Sequence, residues 1–344
     1  MHAPEPLQHP AHPFTAGLGD DPAYAAELDP PTAGPAAPAP DAASPGAGDE
    51  PDDAEVEAGF RFGRFGVDRW LRTVPGGYLR GTVQGRAPGG EIPAVIREHE
   101  LLRQIYAIDL ALFVGAERAG VTASAGLLRL APDEASMKFL ATQVLDEARH
   151  FEAFATRSAE LGVSPAEREK LALDLMPPAY RRFLDGLVEV VDAGDFLGGV
   201  VGLNVILEGM AFPLYEYEAR YWRPFDPAFV QVIEGAYRDE CRHVGYGEKL
   251  LQHRLRHDPG ARRHVERRVR DFARLLREAF GEFIASTVAI YDAAIREHPE
   301  RAAQVEVVPG KSLLETPTGE QIAWLQRQTE EGHARRLGRL GLAA

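Results

Sequence analysis

Cysteine is nearly absent from this chain of 344 residues, with Cys241 the single example. One thiol excludes an intrachain disulfide framework and points to a reducing, cytoplasmic compartment. No run of about 18 uninterrupted apolar residues occurs, so no membrane span is expected. The first residues lack the basic stretch and apolar run of a signal peptide. Gly-rich phosphate loops and nucleophile motifs are missing, as are flavin, haem and nicotinamide signatures. Any redox chemistry must therefore draw its electrons from an external donor. Lys and Arg are absent from residues 1–59, which hold twelve acidic residues and twelve of the 26 prolines. That segment has too little apolar content for a core and reads as a disordered acidic tail. It supplies most of the net charge of −14, so residues 60–344 form a nearly neutral folded domain. A neutral domain gives no electrostatic footprint for nucleic acid.

What the chain does contain is a repeated motif. Asp146-Glu147-Ala148-Arg149-His150 returns as Asp239-Glu240-Cys241-Arg242-His243. Each copy is Glu-x-x-His, and a spacing of i, i+3 sets carboxylate and imidazole on one helical face. Two such pairs are half of a carboxylate-bridged di-metal site in a four-helix bundle; the other half is one Glu from each of two further helices. Glu117 and Glu208 fill those places. Both sit in apolar helical stretches, 30 and 32 residues ahead of Glu147 and Glu240. That separation fits one helix, a turn and part of the next, giving two antiparallel hairpins packed face to face. Glu98 and Glu100 lie in polar surroundings and suit an exposed face.

Strand-like alternation is scarce, so the class is all-α. Pro75-Gly76-Gly77 and Pro88-Gly89-Gly90 mark residues 60–92 as an irregular lead-in. Helices are expected near 94–119, 132–161, 179–221 (broken at Gly194 or Gly198-Gly199), 228–256, 260–298 and 318–338, with a short extended link at 304–309. Cys241 points away from the motif's ligand face and reads as core. His253 and His257 share a face without a carboxylate, and the arginines of 254–277 read as a solvated helix face.

Four carboxylates and two imidazoles suit iron or manganese. Asp146 and Asp239 are expected to accept the free ring N–H of a histidine on the facing helix, and Arg149 and Arg242 to neutralise those aspartates. Phe151, Phe154, Leu203 and Met210 are candidate neighbours of an apolar substrate channel.

Residues Phe139–Phe154 closely resemble a helix of the ribonucleotide reductase small-chain-like oxidases of the ferritin superfamily, and among these the ligand-binding oxidases. Gly115-Ala116-Glu117-Arg118-Ala119, Glu208-Gly209-Met210-Ala211 and the segment 238–247 fit the same pattern, over about residues 94–256. The resemblance implies a ferritin-like four-helix bundle with additional C-terminal helices. It also implies a di-iron or manganese–iron centre held by Glu117, Glu147, His150, Glu208, Glu240 and His243, with O₂ as co-substrate and a homodimeric assembly. The departures are specific. The radical Tyr of reductase small chains is replaced by Phe154, and the last Tyr of the chain is Tyr291, which argues against a reductase role. The Val–Tyr crosslink of the ligand-binding oxidases maps to Ala119 and Leu203 and cannot form. The extra His of p-aminobenzoate-type N-oxygenases maps to Ala236.

The expected function is thus an oxidase or oxygenase of the non-haem di-metal type, acting on a small, largely apolar organic molecule. A ferroxidase or iron-handling protein and a scaffold with a vestigial site stand as alternatives.

Overall fold

A computed structural model describes residues 91–342. The expected acidic tail (1–59) and nearly all of the lead-in (60–92) lie outside the described residues. Helix α1 (Ala94–Glu98) is followed by α2 (Glu100–Leu130), α3 (Glu134–Glu160), α4 (Pro165–Leu175), α5 (Pro178–Asp192) and α6 (Phe196–Val200). A π-helical segment, Val201–Leu207, runs directly into α7 (Glu208–Trp222), and α8 (Pro227–His257), α9 (Pro259–Arg296) and α10 (Pro299–Ala302) come next. A small antiparallel ribbon of β1 (Glu306–Val308) and β2 (Lys311–Ser312) leads to α11 (Thr318–Arg339). The class is all-α, a ferritin-like bundle with extra helices.

The bundle is built from two hairpins, α2 with α3 and the π segment and α7 with α8. Helix starts follow local chemistry. Asp133 accepts from the Ser136 backbone N–H at the start of α3, and Asp226 from that of Phe229 at the start of α8. Asp226 also receives the Tyr106 hydroxyl at 2.7 Å and pairs with Arg157. This buried knot ties α2, α3 and α8 together at one end of the bundle.

Two elements differ from expectation. Helix α2 does not stop near Ala119 but continues through Gly120 to Leu130. Gly120 is a point of close approach rather than a terminator: a Cβ there would lie 2.6 Å from Oε2 of Glu147. The region 179–221 breaks at Gly194, which has φ +81 and so turns the chain as only glycine does cheaply. Beyond it comes a π segment that no periodicity signalled.

The stretch Phe196–Trp222 is long and apolar enough to cross a bilayer by composition, with mean hydropathy 1.6, yet 89% of its apolar window is buried inside the protein. It is the central helix of the core. Helices α9 and α11 pack outside the four-helix set, α9 against α2 and α5, and α11 against α7 and α9. On α9, Val265, Val269, Phe272 and Leu276 face inward at helical spacing while Arg263, Arg267, Arg270, Arg274 and Arg277 are exposed. Glu98 and Glu100 are exposed too, and Cys241 is buried.

Candidate metal centre

The bundle brings Glu117, Glu147, His150, Glu208, Glu240 and His243 into one buried cluster. Their donor atoms form two groups of four, Glu117–Glu147–His150–Glu240 and Glu147–Glu208–Glu240–His243, each with all atoms within 4.8 Å of one another. Glu147 and Glu240 belong to both groups. Glu240 turns one oxygen to each imidazole, Oε1 at 3.5 Å from His150 Nδ1 and Oε2 at 3.2 Å from His243 Nδ1. The histidine rings lie 6.5 Å apart, centre to centre.

Each imidazole is gripped from behind by the hairpin opposite. His150 Nε2 lies 3.2 Å from Oδ2 of Asp239, and His243 Nε2 lies 3.3 Å from Oδ2 of Asp146. With Nε2 carrying the proton, both Nδ1 lone pairs face the carboxylates. Arg149 bridges the two aspartates, donating to Asp146 at 2.9 Å and to Asp239 at 2.5 Å. Arg242 pairs with Asp146, donates to the Thr142 hydroxyl at 2.8 Å and lies over the Phe139 ring.

Three further side chains touch the cluster and were not singled out from the sequence. Gln143 donates to Glu208 Oε1 at 2.6 Å, and Asn204 donates to Glu208 Oε2 at 2.9 Å and to Gln143 at 3.2 Å. The Tyr215 hydroxyl donates to Glu117 Oε1 at 3.0 Å. A spacing signal existed for two of them: Gln143 and Asn204 each stand four residues before a cluster Glu.

The electrostatics are those of a site short of positive charge. Burial pushes the Glu117 carboxyl up to about 8, against the pull of His150. Burial and the like charge of Glu240 push Glu208 well above the carboxylate range. For the imidazoles burial works the other way, but the charge of Glu117 on His150 and of Glu208 on His243 holds both well above their ordinary value. Asp146 is also penalised by burial, yet His243, Arg242 and Arg149 hold it well below. The upward shifts of Glu117 and Glu208 show how strongly burial disfavours their charged forms here. Two divalent cations would balance four carboxylates. Glu147 Oε1 and His150 Nδ1 are buried with no hydrogen-bond partner, lone pairs that suit a Lewis acid. The residues present fit such a pair of ions.

All four carboxylates of the cluster line a predominantly apolar cavity of roughly 180 Å³. Leu203 and Met210 line it, along with Phe113, Leu207, Leu214 and Tyr215. Phe151 and Phe154 are not among its lining residues. Phe154 stacks on Phe113 at 4.7 Å and meets Phe229 edge-on, one layer behind the wall, and Phe151 is turned off the His150 face by its position on α3. The outer helices roof the cavity through Leu276, Ala279 and Phe283 of α9 and Ile322 and Leu325 of α11. His253 and His257 contact each other away from any carboxylate group. His99, Glu297 and His298 form a third group near the surface, outside the cavity.

Among solved structures, the chain is similar to a point mutant of an R2-like ligand-binding oxidase with an anaerobically reconstituted Mn/Fe cofactor. The TM-score is 0.52 at 18% identity, covering 79% of this chain and 91% of that one. At that identity the likeness is one of fold alone. A second mutant of that kind, with an aerobically reconstituted Mn/Fe cofactor, matches at TM-score 0.49 and 16% identity over 74% of this chain and 88% of that one. A Synechococcus protein with aldehyde deformylating oxidase activity matches at 0.47 and 19% over 71% and 97%. No protein-family model matches the chain, and no curated protein matches it in sequence.

Proposed function

We propose that this chain is a non-haem di-metal oxidase or oxygenase. The observation that carries the reading is the pair of four-residue groups sharing Glu147 and Glu240. Two ions with two carboxylates common to both is the arrangement of a coupled di-metal centre. Glu117, Glu147 and His150 with Glu240 would hold one ion, and Glu208 and His243 with the same shared pair the other. Iron with iron, or manganese with iron, suits this oxygen- and nitrogen-rich set, and the similar R2-like oxidases are described with a Mn/Fe cofactor. When bound, the metal pair supplies a two-electron store at which O₂ is reduced.

The rest of the work falls to the protein. Asp146 and Asp239 hold the Nε2 protons so that each histidine offers Nδ1 inward. Gln143 and Asn204 fix Glu208 through both of its oxygens, whereas Glu117 has a single donor in Tyr215. The apolar cavity walls exclude water and present a C–H or other oxidisable bond of an organic substrate to the carboxylate face. That cavity favours substrate oxidation over iron storage. Electrons come from an external donor, and a homodimer in the cytoplasm is the setting we assign.

The test is metal analysis by mass spectrometry on protein expressed with iron and manganese supplied, followed by O₂ uptake. About two metals per chain, iron among them, is expected. No metal after anaerobic loading would sink the assignment in favour of a scaffold, and continual mineral growth would favour iron handling.

A further inference from the structure

The cavity has a second polar end. Asp109, Leu112, Phe113, Ala116, Glu117 and Gly120 form one lining stripe of α2, at helical spacing. Glu208, Ala211, Leu214, Tyr215 and Glu218 form the matching stripe of α7. Asp109 lies eight residues from Glu117, and Glu218 ten from Glu208, or about 12 and 15 Å along their helices. Asp109 and Glu218 therefore stand together at the far end, with apolar wall between them and the metal centre.

They are a pair. The Trp222 indole N–H lies 3.0 Å from both Asp109 Oδ2 and Glu218 Oε2, and Tyr291 donates to Asp109 Oδ1. Both carboxylates are more than nine-tenths buried, at 6% and 8% exposure. Burial and these two donors bear on Asp109, and burial, the charge of Asp109 and the indole bear on Glu218, with no basic side chain among them. Glu218 accepts the indole N–H through Oε2 and lines the cavity. The Tyr221 hydroxyl, whose ring lies 5.2 Å from that of Trp222, is buried with no hydrogen-bond partner. Two buried carboxylates thus share one indole N–H at the end of a hydrocarbon-lined passage. A buried carboxylate pair of this kind is costly unless a positive group meets it.

We propose that Asp109 and Glu218 bind the ammonium head of an apolar primary amine, whose hydrocarbon body fills the cavity and reaches the metal centre. This rests on the oxidase reading of the cavity and names its substrate class. An ammonium supplies three N–H donors and one positive charge, forming charge-assisted hydrogen bonds where the indole N–H alone is shared between two acceptors. The site then presents a carbon remote from nitrogen to the metals. An anionic head such as a fatty carboxylate would gain no opposite charge at this end and would disfavour ionisation of either group. Burial already raises Asp109 to about 7 and Glu218 well above its ordinary value, so an arriving cation would restore the charged form of both.

The experiment is calorimetric titration of the metal-loaded full chain with octylammonium, octanoate and octanol near neutral pH. Octylammonium is expected to bind at least tenfold more tightly than the other two. In D109N/E218Q, with metal content unchanged, that advantage disappears while octanol binding stays the same. Octanoate or octanol binding as well as octylammonium to the wild-type chain overturns the proposal, as does a preference that survives the double variant. If the double variant fails to fold, the wild-type ranking decides alone. Loss of metal without change in the ranking would fault the oxidase reading and leave the cation site standing.

Discussion

The two halves of the cluster each hold a histidine backed by an aspartate of the opposite hairpin, but they differ in how their carboxylates are held. At Glu117 the support is slight: Tyr215 is its hydroxyl donor, and nearby Glu147 Oε1 and His150 Nδ1 have no hydrogen-bond partner. Around Glu208, Glu240 and His243 the protein closes in. Gln143 and Asn204 occupy both oxygens of Glu208, and His333 from α11 bonds the Ile206 carbonyl at 3.0 Å, two residues upstream. A repeated motif thus yields one loosely held half and one clamped half. With ions bound, Glu117 would be free to shift at little cost in broken hydrogen bonds, and Glu208 would be held in place by Gln143 and Asn204. The clamped half is also where the helix departs from α geometry.

The largest effect should come from removing what the halves share. E147A is expected to lower metal content from about two ions per chain to well below one, because both sites lose a ligand. E117A and E208A should each cost about one ion. Equal loss in all three variants, read by mass spectrometry, would erase the distinction between shared and private carboxylates.

Next come the aspartates behind the imidazoles. D239N and D146N should each weaken metal affinity by about 10–100-fold, measured by competition with a chelator. D239N acts on the loose half and D146N on the clamped one, so a larger cost for D239N sharpens the asymmetry.

Two glycines give a finer contrast. An alanine Cβ at Gly120 would meet the flexible end of Glu147, 2.6 Å from Oε2, whereas at Gly247 it would meet Asn204 Cβ at 2.6 Å. G120A should leave thermal stability nearly unchanged yet displace a metal ligand and lower metal content. G247A should cost about 1–3 kcal/mol in denaturant unfolding through overpacking, with less effect on the metal. The reverse pattern would contradict the assignment of mobility to one half and rigidity to the other.

The smallest effect concerns pH. Burial and the nearby charge of Arg336 lower His333 from 6.5 to about 3. A depressed imidazole binds fewer protons folded than unfolded, so it stabilises above pH 6.5 and loses that contribution as pH falls toward 3. The slope is at most about 1.4 kcal/mol per pH unit in that window. H333Q should flatten the wild-type decline between those limits, measured as unfolding free energy against pH.

Much of this site was legible because its chemistry is periodic. Glu147 with His150 and Glu240 with His243 repeat at i, i+3, and Glu117 and Glu208 stand out as carboxylates in apolar surroundings. Asp146 and Asp239 sit beside the motif in both copies, and the structure sets each against the opposite histidine. The unread parts are those without a period. Gly120 looks like a stop signal, but tertiary contact with Glu147 explains it and α2 runs on. The π segment leaves no mark in composition, since Val201–Leu207 is as apolar as any core helix. Phe154 follows His150 by four residues, yet it stacks on Phe113, and it is Phe113 that lines the cavity. The distant carboxylates Asp109 and Glu218 are 109 residues apart in sequence, and they meet only where α2 and α7 face each other across the cavity, both bonded to Trp222.

The π segment carries a consequence for how this sequence tolerates change in length. A π turn holds about one residue more than an α turn, and such insertions concentrate at functional sites. Deleting a single residue within 201–207 would let the helix relax to ordinary winding, with better local hydrogen bonding than before. The same deletion would remove the widened turn that carries Asn204 to Glu208, while the flanking turns keep their register. The chain would gain a more regular helix and lose the local bulge on which the clamped carboxylate depends. Length variants at this point should therefore be well folded and poor in metal.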